Sequence, residues 1–294
     1  MIYINKYLDY LKTERRYSQK TITSYYGDLV EYDDFIKNNC IEILDINYDV
    51  VNRYLKYLYE KKISKSSISR KLSSIRGLYN YLIRENIVSI NYFNEVSNPK
   101  KDLYLPRFLK REELDKIFSV CDNKSPIEQR DTLVMELLYA TGLRVSELVN
   151  IKVANIDQKN RTIKVLGKGS KERIVIFNNH TKEAMDIYLR EGYKTFNKEG
   201  SQYLILNKYG NKLSERYVRN IVDKFVRKAG LNIKIGPHAL RHTFATDMLE
   251  NGSDLMTVKE LLGHESLNTT SIYTHVTNEH IKKTFELAHP RAKK

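Results

Sequence analysis

Apolar residues recur at helical spacing through the first 85 positions, and that period leaves this part of the chain little freedom to be anything but a small helical bundle. The stripes run Ile4, Tyr7, Leu8, Leu11; then Ile22, Tyr25, Leu29, Tyr32, Ile36; then Val51, Tyr54, Leu55, Leu58; then Ile68, Leu72, Ile75, Leu78, Leu82. Each stripe puts its apolar side chains on one face, so four amphipathic helices are predicted. Ser18 and Ser64 precede the second and fourth stripes, where a hydroxyl oxygen can accept from the unpaired amides of a first helical turn.

The helical period stops around Asn98-Pro99-Lys100-Lys101-Asp102, and Leu105-Pro106-Arg107 reads as extended chain. The chain therefore divides into a helical domain over 1–98, a linker over 99–107 and a second domain over 108–294. The second domain opens with helices, one of them apolar through Leu133, Met135, Leu137 and Leu138 and ending at Thr141-Gly142. The period then changes. Thr162–Leu166 and Arg173–Phe177 read as two strands joined by Gly167-Lys168-Gly169-Ser170-Lys171, a turn whose glycines tolerate positive φ. Helices follow near 182–191, 215–228, 240–251, 256–262 and 278–287. The fold class is mainly α with a small antiparallel β-sheet.

Fifty Lys and Arg face 36 Asp and Glu, a formal charge of +14 to which both parts contribute, with 18 basic and 13 acidic residues in 1–107 and 32 and 23 in 108–294. Such a balance attracts a polyanion, either nucleic acid or an anionic membrane surface. The segment 61–76, KKISKSSISRKLSSIR, has six basic residues, six serines and no acid. On a helix it offers cations and hydroxyls to phosphates, with Lys65, Arg70, Lys71, Ser74 and Arg76 as the candidate DNA-binding residues. No apolar run approaches the roughly 20 residues needed to span a bilayer, and the polar start lacks a signal-peptide core. A cytoplasmic protein with no membrane partner is expected. Cys40 and Cys121 stand far apart, in no metal-ligand spacing, and are expected to be buried, reduced thiols.

The chemistry concentrates in four short segments: Thr141-Gly142-Leu143-Arg144-Val145-Ser146-Glu147-Leu148, the Lys168 turn, Pro237-His238-Ala239-Leu240-Arg241-His242, and Leu262-Gly263-His264 with Tyr273-Thr274-His275. In this order and spacing they resemble the tyrosine recombinase, or phage-integrase, family over nearly all of 108–294. HALRHTFATDMLENG, LLGHESLNTTSIYTHV and the tail FELAHPRA look most like its bacterial Xer group, and the N-terminal part resembles that group's core-binding domain more loosely.

The resemblance implies roles at matching positions. Arg144 and Arg241 would bind the phosphate, Lys168 would be the hairpin lysine, His238 and His264 the two catalytic histidines, and Tyr273 the nucleophile. Glu147 would support them, mainly by orienting His238. It further implies a C-shaped clamp on DNA, four protomers, identical or of two kinds, on two duplexes, and no cofactor or metal. A C-terminal helix around Ile281, Phe285 and Leu287 would dock on a neighbouring protomer. The expected function is Xer-type site-specific recombination that resolves chromosome dimers, with a septal DNA translocase as a possible accessory. The alternatives are the integrase of a mobile element, a catalytically silent DNA-binding protein and a type IB topoisomerase.

The residue types suit the chemistry without the resemblance. Attack at a phosphodiester develops charge on two non-bridging oxygens, which a planar guanidinium holds bidentately and an ammonium does not. A tyrosine hydroxyl, with an ordinary pKa of about 10, needs a base or a positive field to become a nucleophile. Lys168 on its glycine-flanked turn can protonate the departing oxygen. His238 and His242 are spaced like zinc ligands, but Ala239 stands where HExxH needs Glu.

Overall fold

The computed structural model of the chain describes residues 1–99, 108–167, 172–263 and 278–292. Contacts divide the chain into two compact units, Met1–Leu105 and Pro106–Lys294.

The first unit holds α1 (Ile2–Thr13), α2 (Gln19–Asn38), α3 (Tyr48–Glu60) and α4 (Lys65–Arg84). Both serine caps form: Ser18 Oγ accepts from the Thr21 amide and Ser64 Oγ from the Ser67 amide, each at 3.2 Å. Asn47 caps α3 in the same way, accepting from the Val50 amide at 3.1 Å. The stripes meet in one core, where Leu29, Val51, Leu58, Leu72, Ile75, Leu78 and Leu82 are fully buried. Tyrosine does much of the filling. Tyr32 packs edge-on against Tyr54 and Phe93, with ring centroids 5.0 and 5.7 Å apart. A buried phenol needs a partner for its hydroxyl. Tyr32 Oη and Tyr79 Oη lie 3.0 Å apart, and Tyr79 donates to the Ile43 carbonyl at 2.9 Å. Phe93 enters this core from a short 3-10 turn, Tyr92–Asn94, that the apolar periodicity does not signal.

The second unit is built around α6 (Pro126–Thr141), preceded by α5 (Arg111–Ser119). Every residue of α6 from Gln129 to Thr141 is buried, and the charged ones among them are paired: Arg130 with Asp131 at 2.7 Å and Glu136 with Arg291 at 2.7 Å. Then come α7 (Val145–Leu148) and a three-stranded antiparallel sheet of β1 (Ile156–Asp157), β2 (Thr162–Leu166) and β3 (Glu172–Ile176), ordered β1-β2-β3. Ile163 pairs with Val175 and Val165 with Arg173. The two-residue β1 is too short to leave an alternation in the sequence. The helix expected over 182–191 is instead α8 (Asn179–Ile187), a π-helical turn over Tyr188–Gly192 and α9 (Tyr193–Phe196). The turn brings the Gly192 amide to Gln129 Oε1 at 3.0 Å, against the central helix. The unit closes with α10 (Glu215–Lys228), α11 (Pro237–Glu250), α12 (Leu255–Leu262) and α13 (Asn278–Ala288).

Phe285 of α13, one of the residues expected to dock on a neighbour, is buried in the single chain among Phe244, Met248, Val258, Leu261 and Leu262. Leu287 is exposed, and the Ile281 side chain lies outside the described residues. Cys40 is exposed rather than buried, because it sits just past the end of α2 in a left-handed conformation with φ 56°. Cys121 is half-buried, and burial pushes its thiol up to about 12. Among the described residues no helix is long and apolar enough to cross a membrane.

Candidate active site

Two helix ends and two arginines make the candidate site. α6 ends at Gly142 and α12 at Gly263, both left-handed with φ 59° and 66°. A side chain is strained at such φ, and at Gly142 it would also collide with Phe244 and Leu262. Ending a helix there leaves carbonyls unpaired at the negative end of its dipole, where a cation is favoured. Arg241, from the second turn of α11, supplies one: Nη1 donates to the Gly142 carbonyl at 2.5 Å and Nη2 to the Leu262 carbonyl at 2.7 Å. Burial, together with the neighbouring Arg144 charge, lowers its pKa to about 10.

Arg144 follows two residues after the α6 cap and is itself the N-cap of α7. Its Nη1 lies 3.5 Å from the Leu262 carbonyl and its Nη2 donates to the Gly263 carbonyl at 3.3 Å. Two guanidiniums from remote segments thus converge on the turn that ends α12. Arg144 keeps a side-chain exposure of 31%, so a face of it is open to a ligand.

Glu147 holds Arg144 in place. It accepts from the Arg144 backbone amide at 2.8 Å, closing the first turn of α7, and from Arg144 Nη1 at 2.9 Å. The rest of its carboxylate is taken by Arg173 of β3, through Nη1 at 2.8 Å and Nη2 at 2.9 Å. Burial alone would raise this carboxyl's pKa, but the Arg173 and Arg144 hydrogen bonds outweigh it and hold the group below its ordinary value. Glu147 therefore orients arginines rather than His238, its expected partner. His238 stands exposed in the first turn of α11, one helical turn before Arg241. His242 is half-buried with its ring edge-on to Phe108. Lys168, His264 and Tyr273 lie outside the described residues.

Arg173 is the residue the sequence reading passed over. It shares strand parity with the buried Val175 and Phe177, but Ile174 and Ile176 make the opposite parity equally apolar in sequence, so the structure alone puts this charge on an inward face. A buried charge needs a partner, and Glu147 was within the recognised motif.

The basic face read from 61–76 is also redistributed. α4 packs on α2, which brings Asp28 and Glu31 against it. Lys71 is buried and bonds Asp28 Oδ1 at 3.2 Å and Glu31 Oε2 at 2.9 Å; Arg70 pairs with Asp28 Oδ2. Ser74 is fully buried and donates to the Lys71 carbonyl at 2.8 Å. Arg76 is half-buried and donates to the carbonyls of Phe93 and Val96 at 3.1 and 2.9 Å. Lys71, Ser74 and Arg76 thus hold the bundle together, while Lys65 and Arg70 stay on its exposed side. The acids absent from the segment come from the neighbouring helix.

Comparison with known proteins agrees with this architecture. Residues 107–280 match the phage integrase family and 4–86 the phage integrase N-terminal SAM-like domain. A tyrosine recombinase XerC of Staphylococcus saprophyticus is 42% identical over 288 residues, covering 98% of this chain and 97% of the relative. Another XerC, of Oceanobacillus iheyensis, is 43% identical over 295 residues, covering 99% and 97%. Among solved structures, the XerH recombinase in its post-cleavage complex with a palindromic difH substrate shares the fold, with a TM-score of 0.71 at 24% identity over 97% of this chain and 84% of that one. The chain belongs to the phage-integrase family of tyrosine recombinases and is a site-specific DNA recombinase of the Xer type.

Proposed function

We propose that the chain cuts and rejoins duplex DNA at a short specific site, with Tyr273 as the nucleophile and with Arg144 and Arg241 holding the phosphate under attack. The observation that carries this reading is the convergence of those two guanidiniums on the Leu262 carbonyl, two residues before His264. Arg144, Arg173 and Arg241 against Glu147 leave an excess of positive charge, which suits a phosphodiester that gains negative charge on the way to the transition state.

In the cutting step Tyr273 Oη gives its proton to a base, for which His238 is the candidate, and bonds to phosphorus. The bond from phosphorus to the 5′ oxygen breaks, and that oxygen leaves as a hydroxyl with a proton from Lys168. His264 hydrogen-bonds the phosphate. The product is a 3′-phosphotyrosine, and a 5′-hydroxyl from a second duplex reverses the step. One phosphodiester is exchanged for another, so no nucleotide or redox partner enters the balance.

Exchange needs two duplexes and hence four active sites, which supports a tetramer of one or two kinds of protomer. DNA as partner is supported by the solved XerH complex and by the excess positive charge of both parts of the chain. Identity of 42–43% to XerC over nearly the whole chain supports chromosome-dimer resolution in the cytoplasm, where a septal DNA translocase is the candidate accessory.

The test begins by footprinting the protein on genomic DNA and building a nicked suicide substrate from the protected sequence. Native protein is expected to form a covalent adduct that Tyr273→Phe does not. An adduct that persists in Tyr273→Phe removes the nucleophile assignment. Relaxation of plasmids without the site would instead assign a topoisomerase.

A further inference from the structure

We propose that Arg173 is a positioning residue of the cleavage centre: it holds Glu147 so that Arg144 stays free to bind phosphate. The inference rests on the reading of Arg144 as a phosphate ligand given above.

The contacts make Arg173 a three-way joint. Its Nη1 and Nη2 take both Glu147 oxygens at 2.8 and 2.9 Å, and its Nε donates to the Leu261 carbonyl at 3.1 Å. Its Cδ and Nη1 press on Gly263, each 3.1 Å from where a Cβ would stand. One side chain therefore joins β3, which follows the Lys168 turn in sequence, to the carboxylate beneath Arg144 and to the end of α12 on which Arg144 and Arg241 meet. Its own side chain is 14% exposed and Glu147's is 4%, so this pair is shielded from screening water.

Charge explains why the joint matters. A buried carboxylate with a single guanidinium beside it would draw that guanidinium into a two-pronged pair. Arg144 would be that guanidinium, and its Nη2 would leave the Gly263 carbonyl and the open face where a phosphate can bind. With Arg173 in place, Glu147 is already satisfied and takes only one nitrogen of the Arg144 side chain. Arg173 acts through Glu147 and touches no reacting atom.

The same nicked duplex tests this, read as single-turnover adduct formation at saturating DNA, with affinity measured separately on a Tyr273→Phe background. Arg173→Met is expected to bind the duplex like the parent and to cleave it roughly tenfold or more slowly. Glu147→Gln added to Arg173→Met is expected to recover part of the rate, because a neutral amide no longer captures Arg144. A strut with no electrostatic role would make the double variant slower still, and that result, or a native rate in Arg173→Met, overturns the proposal. If Arg173→Met does not fold, Arg173→Lys with and without Glu147→Gln carries the same comparison, with the same two outcomes. Failure of the native protein to form any adduct sinks the site assignment instead, so the two failures are distinguishable.

Discussion

At the scale of single residues, the site shows why its cations are arginines. Arg241 spans two carbonyls from different helix ends with two nitrogens of one rigid plane, while Arg144 approaches the same Leu262 oxygen. A lysine at 241 has one nitrogen for two diverging acceptors, and burial that lowers an arginine to about 10 would lower an ammonium further into the working range. Arg241→Lys should therefore slow adduct formation roughly 100- to 1,000-fold. What rate remains should fall further as pH rises, because a lysine with a depressed pKa loses its charge on the alkaline side. A pH profile of single-turnover cleavage checks both; a flat profile at native rate would remove Arg241 from the phosphate. Arg144 and Arg241 were legible because each lies in a segment with unusual neighbours. Arg173 could not have been read from strand parity alone, because Ile174 and Ile176 make the opposite parity equally apolar in the sequence. Nor could the pairing of Lys71 with Asp28 and Glu31, because the acids lie some 40 residues away and only the packing of α2 on α4 brings them there.

At the scale of elements, caps and stripes carried the prediction. Ser18 and Ser64 mark helix starts because a hydroxyl does locally what the first amides need, and α6 ends where Gly142 turns left-handed. The destination of α13 was not local information. Its Phe285, and His289 just beyond it, fill the core of their own unit, and Arg291 bonds Glu136 of α6 at 2.7 Å. Two buried groups make this clasp pH-dependent with opposite signs. Burial pushes His289 down to about 3, so the stability it contributes is present above its ordinary 6.5 and is lost as pH falls from there toward 3. Burial raises Glu136 to about 6 against the Arg291 charge, so its contribution is present below its ordinary 4.5 and is lost as pH rises through 6. Between pH 6.5 and 4.5 the two largely offset, and below 4.5 the histidine acts alone. Glu136→Gln should unmask the histidine: the variant loses stability relative to the parent, on the order of 2 kcal/mol, between pH 7 and 4.5. Melting both proteins across that range measures it, and parallel curves would mean that Glu136 keeps an ordinary pKa in the folded chain.

At the scale of the whole molecule, each unit has a core of its own. Leu29, Tyr32, Leu72 and Leu78 belong to one cluster, and Leu133, Leu137, Ile163 and Val222 to another. The break in helical period near residue 98 is the trace of that division in the sequence, because among the described residues neither core draws its apolar stripe from across it. Fragments 1–99 and 108–294 should therefore each unfold cooperatively when expressed alone. The charge excess is shared in the same way, so each fragment should bind the footprinted duplex weakly, with an affinity that falls steeply as salt rises. The joined chain has a different expectation. If both units grip one duplex, binding of the second is intramolecular, and the full chain should bind roughly 100- to 10,000-fold more tightly than its better fragment. Its salt slope should then approach the sum of the two fragment slopes, since each phosphate contact releases its own counterions. Titrating the chain and both fragments at several salt concentrations separates this from a protein that binds through one unit. In that case the chain would match the better fragment in both affinity and slope, and the two-sided grip would be wrong even with the cleavage chemistry intact.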